Sequence, residues 1–354
     1  MAAALSGVDE RALVHAQTLI RLRRWEDARR CLANLLATEP GCVEAWCLLA
    51  RASNGLGDYP AMARAAQAAL AVDPTSDWAQ RLRSIALAEQ GQHAEAVASA
   101  REAVRLAPKD WRANVALASA LIGLTERRTE ALDWARRAVG LAPDQPDTHF
   151  TMGLVTAELG RLAEADRSFR AALALRPDHA AAINNLALLE LRRGRMASAA
   201  SGFGAAVASD PTSHIARRNV DAIGWALLHR AHVGAFFMLL GVGLVPAVAV
   251  GPRTPLAGAM VVLVLAGVWT VLIGRTFTGM SPTVRRYLYS RPRHDPLFGV
   301  MATGLVVCLG CTASAVLLPS GAALPVLTVG FVGLLAGFLA SAARYLRGRA
   351  VRRR

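Results

Sequence analysis

At 354 residues the chain is long enough for two domains, and five cysteines, an odd number with no secretory leader at 1–8, argue against a disulfide framework and for a reducing cytoplasm. The net charge of +14 is uneven: residues 1–230 hold 28 basic and 25 acidic side chains, whereas 231–354 hold 12 Arg and one Asp. The near-neutral first part excludes a nucleic-acid partner, and the Arg of the second part flank apolar stretches, as membrane orientation requires. Lys109 is the sole lysine among the 40 basic residues, and this Ala- and Arg-rich composition points to a bacterial, GC-rich coding sequence.

Residues 1–8, with neither a basic n-region nor a long apolar core, read as a flexible start. From 9 to 211 three ladders run in phase. Pro40, Pro74, Pro108, Pro143, Pro177 and Pro211 are spaced 34, 34, 35, 34 and 34 residues apart. Ala28, Met62, Ala96, Ala131, Ala165 and Ala199 keep the same spacings, and Gly57, Gly91, Gly160 and Gly194 form a third series. Each ladder has a physical cause. The small residue lets two helices cross closely. The Gly takes φ > 0 to close a first helix, and the Pro stops a second helix. Asp or Ser then caps the next helix, as in Pro74-Thr75-Ser76-Asp77. The unit at 108–143 carries one extra residue, absorbed by the polar run 125–129.

The stretch 146–177 shows the whole pattern: His149-x2-Met152-Gly153-x2-Thr156, Gly160, Ala165-x3-Phe169 and Pro177. It resembles the tetratricopeptide repeat (TPR), a helix–turn–helix unit of 34 residues, with His149 in place of the usual Trp and Thr156 in place of the usual Tyr. The resemblance implies an all-α solenoid of about six repeats over 9–211. It also implies that first helices line a concave face that binds a protein or peptide. Carried over by position, that face holds Arg51, Trp78, Arg81, Arg112, Phe150 and Asn184, with Glu44, Cys47, Val115, Asp147 and Leu188 among them. Arg81 alone sits at a carboxylate-clamp position, without the supporting Asn and Lys, and Asn184 and Asn185 have no counterparts in repeat five, so neither a carboxylate clamp nor an Asn ladder is expected.

Residues 212–232 leave the signature, Arg217 standing where Trp46 stands in repeat two, yet Ala216, Val220, Ile223 and Leu227 fall at helical spacing. A capping and juxtamembrane helix is expected there, since an array must cover its last apolar face. His229 and His232 then fall at the lipid headgroups rather than on a metal.

Uncharged stretches at 233–252, 254–274 and 296–343 follow. One span needs about 20 residues, so the last folds back at Pro319-Ser320-Gly321. The expectation is a four-helix transmembrane domain, with helices at about 233–250, 255–274, 297–318 and 322–343, ending in a basic tail at 344–354. Five Arg in the loop 275–296 and six in the tail, against Arg253 alone on the other side, place both termini in the cytoplasm. Tyr287, Tyr289 and Tyr345 read as interfacial anchors. Small-residue stripes Gly304-Cys308-Thr312 and Gly333-Gly337-Ser341 predict close packing of helices three and four, or association of protomers through Gly333 and Gly337.

The spans hold no ionisable path for transport, and Cys308-x2-Cys311 lies mid-span with no base beside it. No phosphate-binding Gly loop, HExxH or GxSxG is present, so neither cofactor, metal nor catalytic residue is expected. The sequence therefore reads as a multi-pass cell-membrane scaffold whose cytoplasmic groove binds a protein. A membrane enzyme or transporter component with a regulatory repeat domain is the alternative.

Overall fold

The computed structural model describes residues 2–211, 214–248, 274–317 and 320–352, with the single positions 267 and 271. Described residues are helical or turn, without a strand. The chain divides into two compact units, Met1–Ala182 and Ile183–Arg354.

In the first unit, α1 (Ala2–Arg21) and α2 (Trp25–Thr38) form a hairpin, followed by α3 (Val43–Leu56) with α4 (Tyr59–Val72), α5 (Asp77–Glu89) with α6 (His93–Leu106), α7 (Trp111–Ile122) with α8 (Arg128–Leu141), and α9 (Pro146–Glu158) with α10 (Leu162–Leu175). Residues 2–8, expected to be a flexible start, belong to α1. The small-residue ladder is fully buried from Ala28 through Met62 and Ala96 to Ala131 and Ala165. Gly57, Gly91 and Gly160 have φ of 73°, 78° and 75°, where a Cβ would meet the following carbonyl. Arg23 stands 34 residues before Gly57 and takes the same left-handed conformation, φ 57°. The turn geometry thus persists where its usual residue is missing. The extra residue at 125–129 forms a 3-10 turn, Thr125–Arg127, ahead of α8.

Caps fall where short polar side chains precede a first turn: Asp58 accepts from the Ala61 N–H at 3.0 Å and Ser76 from the Ala79 N–H at 3.2 Å. The fourth residue of a first helix has a second use. Trp46 Nε1 donates to the Pro40 carbonyl at 2.8 Å, Asn114 Nδ2 to Pro108 at 3.4 Å, and His149 Nε2 to Pro143 at 2.8 Å. Those carbonyls belong to the Pro ladder, so His149 keeps the bond that Trp makes. Gly153 is required by its neighbour: a Cβ there would lie 2.5 Å from Phe169 Cδ1, and Phe169 is fully buried.

The second unit begins in α11 (Ala180–Arg192), which pairs with α12 (Met196–Ser209), and continues in α13 (His214–Val248), α14 (Pro282–His294), α15 (Pro296–Leu317) and α16 (Ser320–Arg352). Here Ala199 and Phe203 are fully buried and Gly194 has φ 77°. The expected capping helix and first span are one continuous helix, α13. Arg217 donates to the Pro211 carbonyl as the ring N–H groups do above, so the repeat's polar signature extends one helix further than expected.

The expected loop 275–296 is also different. It contains α14, whose Val284 and Leu288, with Met280 just before it, pack with Ala199, Phe203, Val220 and Ile223 into one core. Thus α13 and α14 together cover the last apolar face of the repeats. Ser281 N–H donates to Ser201 Oγ at 2.9 Å. Asp221 accepts from Tyr287 Oη at 2.7 Å and from Arg291 Nη2 at 2.8 Å. Tyr287, expected as a lipid anchor, is thereby held to α13, while Tyr289 is exposed.

Among the described residues two helical segments are long and apolar enough to cross a membrane, Ile215–Leu240 and Pro325–Arg344; α14 and α15 qualify only as a pair, bent by 95°. The expected span 255–274 and the connection 251–254 lie outside the described residues, apart from 267, 271 and 274, and so does Pro319 of the expected turn. α16 runs on to Arg352, so the tail continues that helix. Within this unit Gly304 of α15 meets the backbone of Gly333, and Gly337 is filled by His232. Both glycines of the second stripe are therefore occupied by the chain's own atoms. His232, expected at the headgroups, is fully buried, with Nδ1–H donating to the Leu228 carbonyl at 2.9 Å.

Candidate partner-binding groove

The first helices α3, α5, α7 and α9 present their second, fifth and ninth residues on one face, as the 3.6-residue period requires. Arg51 on α3 is exposed. Trp78 on α5 is half-buried, its ring packed against the cores on both sides. Arg81, one turn later, is 17% exposed; its Nη2 lies 2.9 Å from Asp77 Oδ2 and 3.7 Å from Asp110 Oδ2. Arg112 is 56% exposed, 3.6 Å from Asp110 Oδ1 and 4.5 Å above the Trp111 ring. Arg81 and Arg112 are therefore brought together around one carboxylate, which also caps α7 by accepting from the Arg112 N–H at 2.9 Å.

Phe150 on α9 is less open than expected. Its ring centroid lies 5.8 Å from Phe169 and 4.9 Å from His179. Beside it Asp147 Oδ1 accepts from Arg176 Nη2 at 2.6 Å and His179 Nε2 at 3.2 Å. The His179 bond, then Arg176, hold the Asp147 carboxyl below its usual range despite partial burial. His179 Nδ1 accepts from the Ala182 N–H at 3.4 Å, which sets its tautomer with Nε2–H toward Asp147. Asn184 lies in the second unit, buried, accepting from Asn219 Nδ2 at 2.8 Å.

The six residues thus divide by role. Arg51, Arg112 and part of Trp78 face solvent. Arg81, Phe150 and Asn184 tie successive elements together. Asp110 sits against Arg81 and Arg112, and Arg176 and His179 hold Asp147; these three partners were missed in the sequence. Asp110 stands at a cap position, and the other two lie in the linker before α11, where no first-helix period reaches.

Among the described residues no cluster of His, Cys, Asp and Glu could hold a metal. Cys47 is fully buried, and burial pushes its thiol up to about 12, so no thiolate is available. The described cysteines are free thiols.

A family profile described as tetratricopeptide repeat matches residues 13–78, 81–146 and 150–214, more than half of the chain. The chain belongs to the tetratricopeptide repeat family. TPR proteins mediate protein–protein interaction and some bind peptides; the fold is typically a scaffold rather than an enzyme. No curated protein matches the chain in sequence. Among solved structures, the APC/C hetero-tetramer Cut9–Hcn1 is similar with TM-score 0.51 and 15% identity, over 61% of this chain and 42% of that one. A thermophilic TPR protein of Thermus thermophilus aligns with TM-score 0.48 and 24% identity, over 51% of this chain and 99% of its own. YrrB, a TPR protein with an unusual peptide-binding site, aligns with TM-score 0.33 and 20% identity, over 52% and 94%.

Proposed function

We propose that this TPR protein is a membrane-anchored scaffold: the repeats grip a protein or peptide on the first-helix face, and the apolar helices hold them at the cytoplasmic side of the cell membrane. The anchoring half of the reading is carried by the apolar face of α16. Val329, Phe331, Val332, Leu335 and Leu339 are each between 47% and 62% exposed. Water penalises such a face by about 25 cal/mol per Å² of apolar surface, whereas lipid does not. Val306 and Phe237, on α15 and α13, are exposed in the same way. The Arg of 275–296 and of the tail favour a cytoplasmic position for both ends.

The binding half rests on family membership and on the exposed pair Arg51 and Arg112, with the Trp78 edge near them in repeat position. Arg and Trp are favoured at binding hot spots because they combine large buried area with directed hydrogen bonds. Both charge signs line the face, which suits a peptide of mixed charge.

Three measurements test the halves separately. Full-length protein, solubilised from membranes, should capture its partner, and Arg51→Glu with Arg112→Glu should abolish capture while thermal melting is unchanged. Undiminished capture by that variant ends the groove reading. In a cysteine-free background, Ser320→Cys should react with an impermeant thiol reagent in whole cells and Thr283→Cys should not. The reverse pattern inverts the topology, and release of the chain by alkaline carbonate ends the anchoring.

A further inference from the structure

α14 carries two faces of different character. One, through Val284 and Leu288, is buried in the cap of the repeats. The other is a stripe at helical spacing, Pro282, Arg285, Arg286 and Tyr289. With Phe277 from the helical stretch 274–278 it lines a cleft of about 320 Å³. Phe277 and Tyr289 pack edge-to-face, centroids 5.4 Å apart and planes at 75°, and form its aromatic wall.

Among the described residues neither the Arg285 nor the Arg286 side chain makes a hydrogen bond or ion pair, although Arg291 on the same helix pairs with Asp221 at 2.8 Å. α12, against which α14 packs, has no charged residue. Asp221 on α13 is already taken by Tyr287 and Arg291. Asp295, the one acid after residue 230, lies 3.8 Å from Arg291. The cleft also opens at the N-terminal end of α14, whose partial positive charge favours an anion.

We infer that this cleft is a binding site for the headgroup of an anionic phospholipid, the phosphodiester taken by Arg285 and Arg286 and the apolar glycerol end by Phe277, Pro282 and Tyr289. The chemistry follows from the pairing of guanidinium forks, which bind phosphate oxygens by charge-assisted hydrogen bonds, with aromatic rings that prefer the membrane interface. Basic helices next to membrane spans attract anionic lipids for the same reason. A free phosphate compound would use the arginines but leave the aromatic wall idle. This inference rests on the membrane-anchored reading above.

The test uses the full chain in neutral detergent, titrated with dihexanoyl phosphatidylglycerol and followed by native mass spectrometry and thermal melting. Dihexanoyl phosphatidylcholine and inorganic phosphate are the controls. Phosphatidylglycerol should bind and raise the melting temperature, and the controls should not. R285Q with R286Q should weaken its binding by about tenfold or more, and Tyr289→Ala should weaken it while leaving the charge in place. All variants should melt like the parent without lipid, since these side chains are partly or fully exposed. Equal binding by the double variant overturns the site. An equal response to inorganic phosphate overturns the lipid assignment in favour of a soluble phosphate compound. Carbonate extraction separates the two readings. If the parent stays in membranes yet ignores phosphatidylglycerol, only the site fails. If carbonate releases it, the anchoring fails and the lipid assignment falls with it.

Discussion

Gly153→Ala isolates the packing logic of the repeats. On an open helix this change gains about 1 kcal/mol from helix propensity. Here the new Cβ would stand 2.5 Å from Cδ1 and Cε1 of Phe169, about 1 Å inside ordinary carbon–carbon contact. The ring cannot step aside: Phe169 is fully buried and has Phe150 against it at 5.8 Å. Overpacking of this kind costs about 1–3 kcal/mol, so the net effect should be a loss of up to about 2 kcal/mol. Phe169→Leu alone should cost on the order of 1–2 kcal/mol, but in the Gly153→Ala background much less, because the missing ring makes room for the methyl. A double-mutant cycle should give a coupling of about 1–3 kcal/mol. Urea unfolding of residues 1–182, followed by far-UV circular dichroism, measures it, and amide exchange in α9 and α10 localises the loss should the repeats unfold separately. The reasoning is refuted if Gly153→Ala raises the midpoint, or if Phe169→Leu costs the same in both backgrounds.

Arg23→Gly should raise the melting temperature by the equivalent of about 0.5–1 kcal/mol, since Arg23 holds φ 57° and Gly adopts it without strain; a lower melting point would show that its side chain matters more than its backbone. Asp147→Asn should destabilise the repeats near neutral pH by about 1 kcal/mol or less, given the 47% exposure of the carboxylate. The folded Asp147 titrates below its ordinary value of 3.8, so its contribution is present above that pH and is lost as pH falls through the lower folded value. Parent and variant should accordingly converge in acid melts and separate in neutral ones. Val284→Asp would bury a charge against Gly204 at the cap and should open α12 to limited proteolysis within the full chain; unchanged cleavage would mean that α14 does not hold the end of the repeats. His149→Trp should be nearly neutral, because either ring N–H can reach the Pro143 carbonyl, whereas His149→Phe should cost about 1 kcal/mol.

The repeat period and the bends at Gly57, Gly91, Gly160 and Gly194 were legible from the sequence alone. Each answers a local demand that recurs every turn of the solenoid: a helix crossing that admits only a small side chain, or a backbone angle that favours glycine. Apolar stretches long enough for lipid were legible for the same reason, since hydropathy is additive along a chain. The groove was legible only as a set of positions. That Arg51 and Arg112 face solvent while Phe150 lies under His179 depends on a residue 29 positions away, and no period announces it. The cap was decided in the same way. Arg-rich residues 282–294 read as a loop because their charge dominates their composition, yet the apolar side of that helix, spaced at one turn, fills the surface left open by Phe203 and Ile223. Local geometry repeats and so leaves a pattern in the sequence. Burial between distant segments happens once, and only the folded chain shows which of two faces is taken.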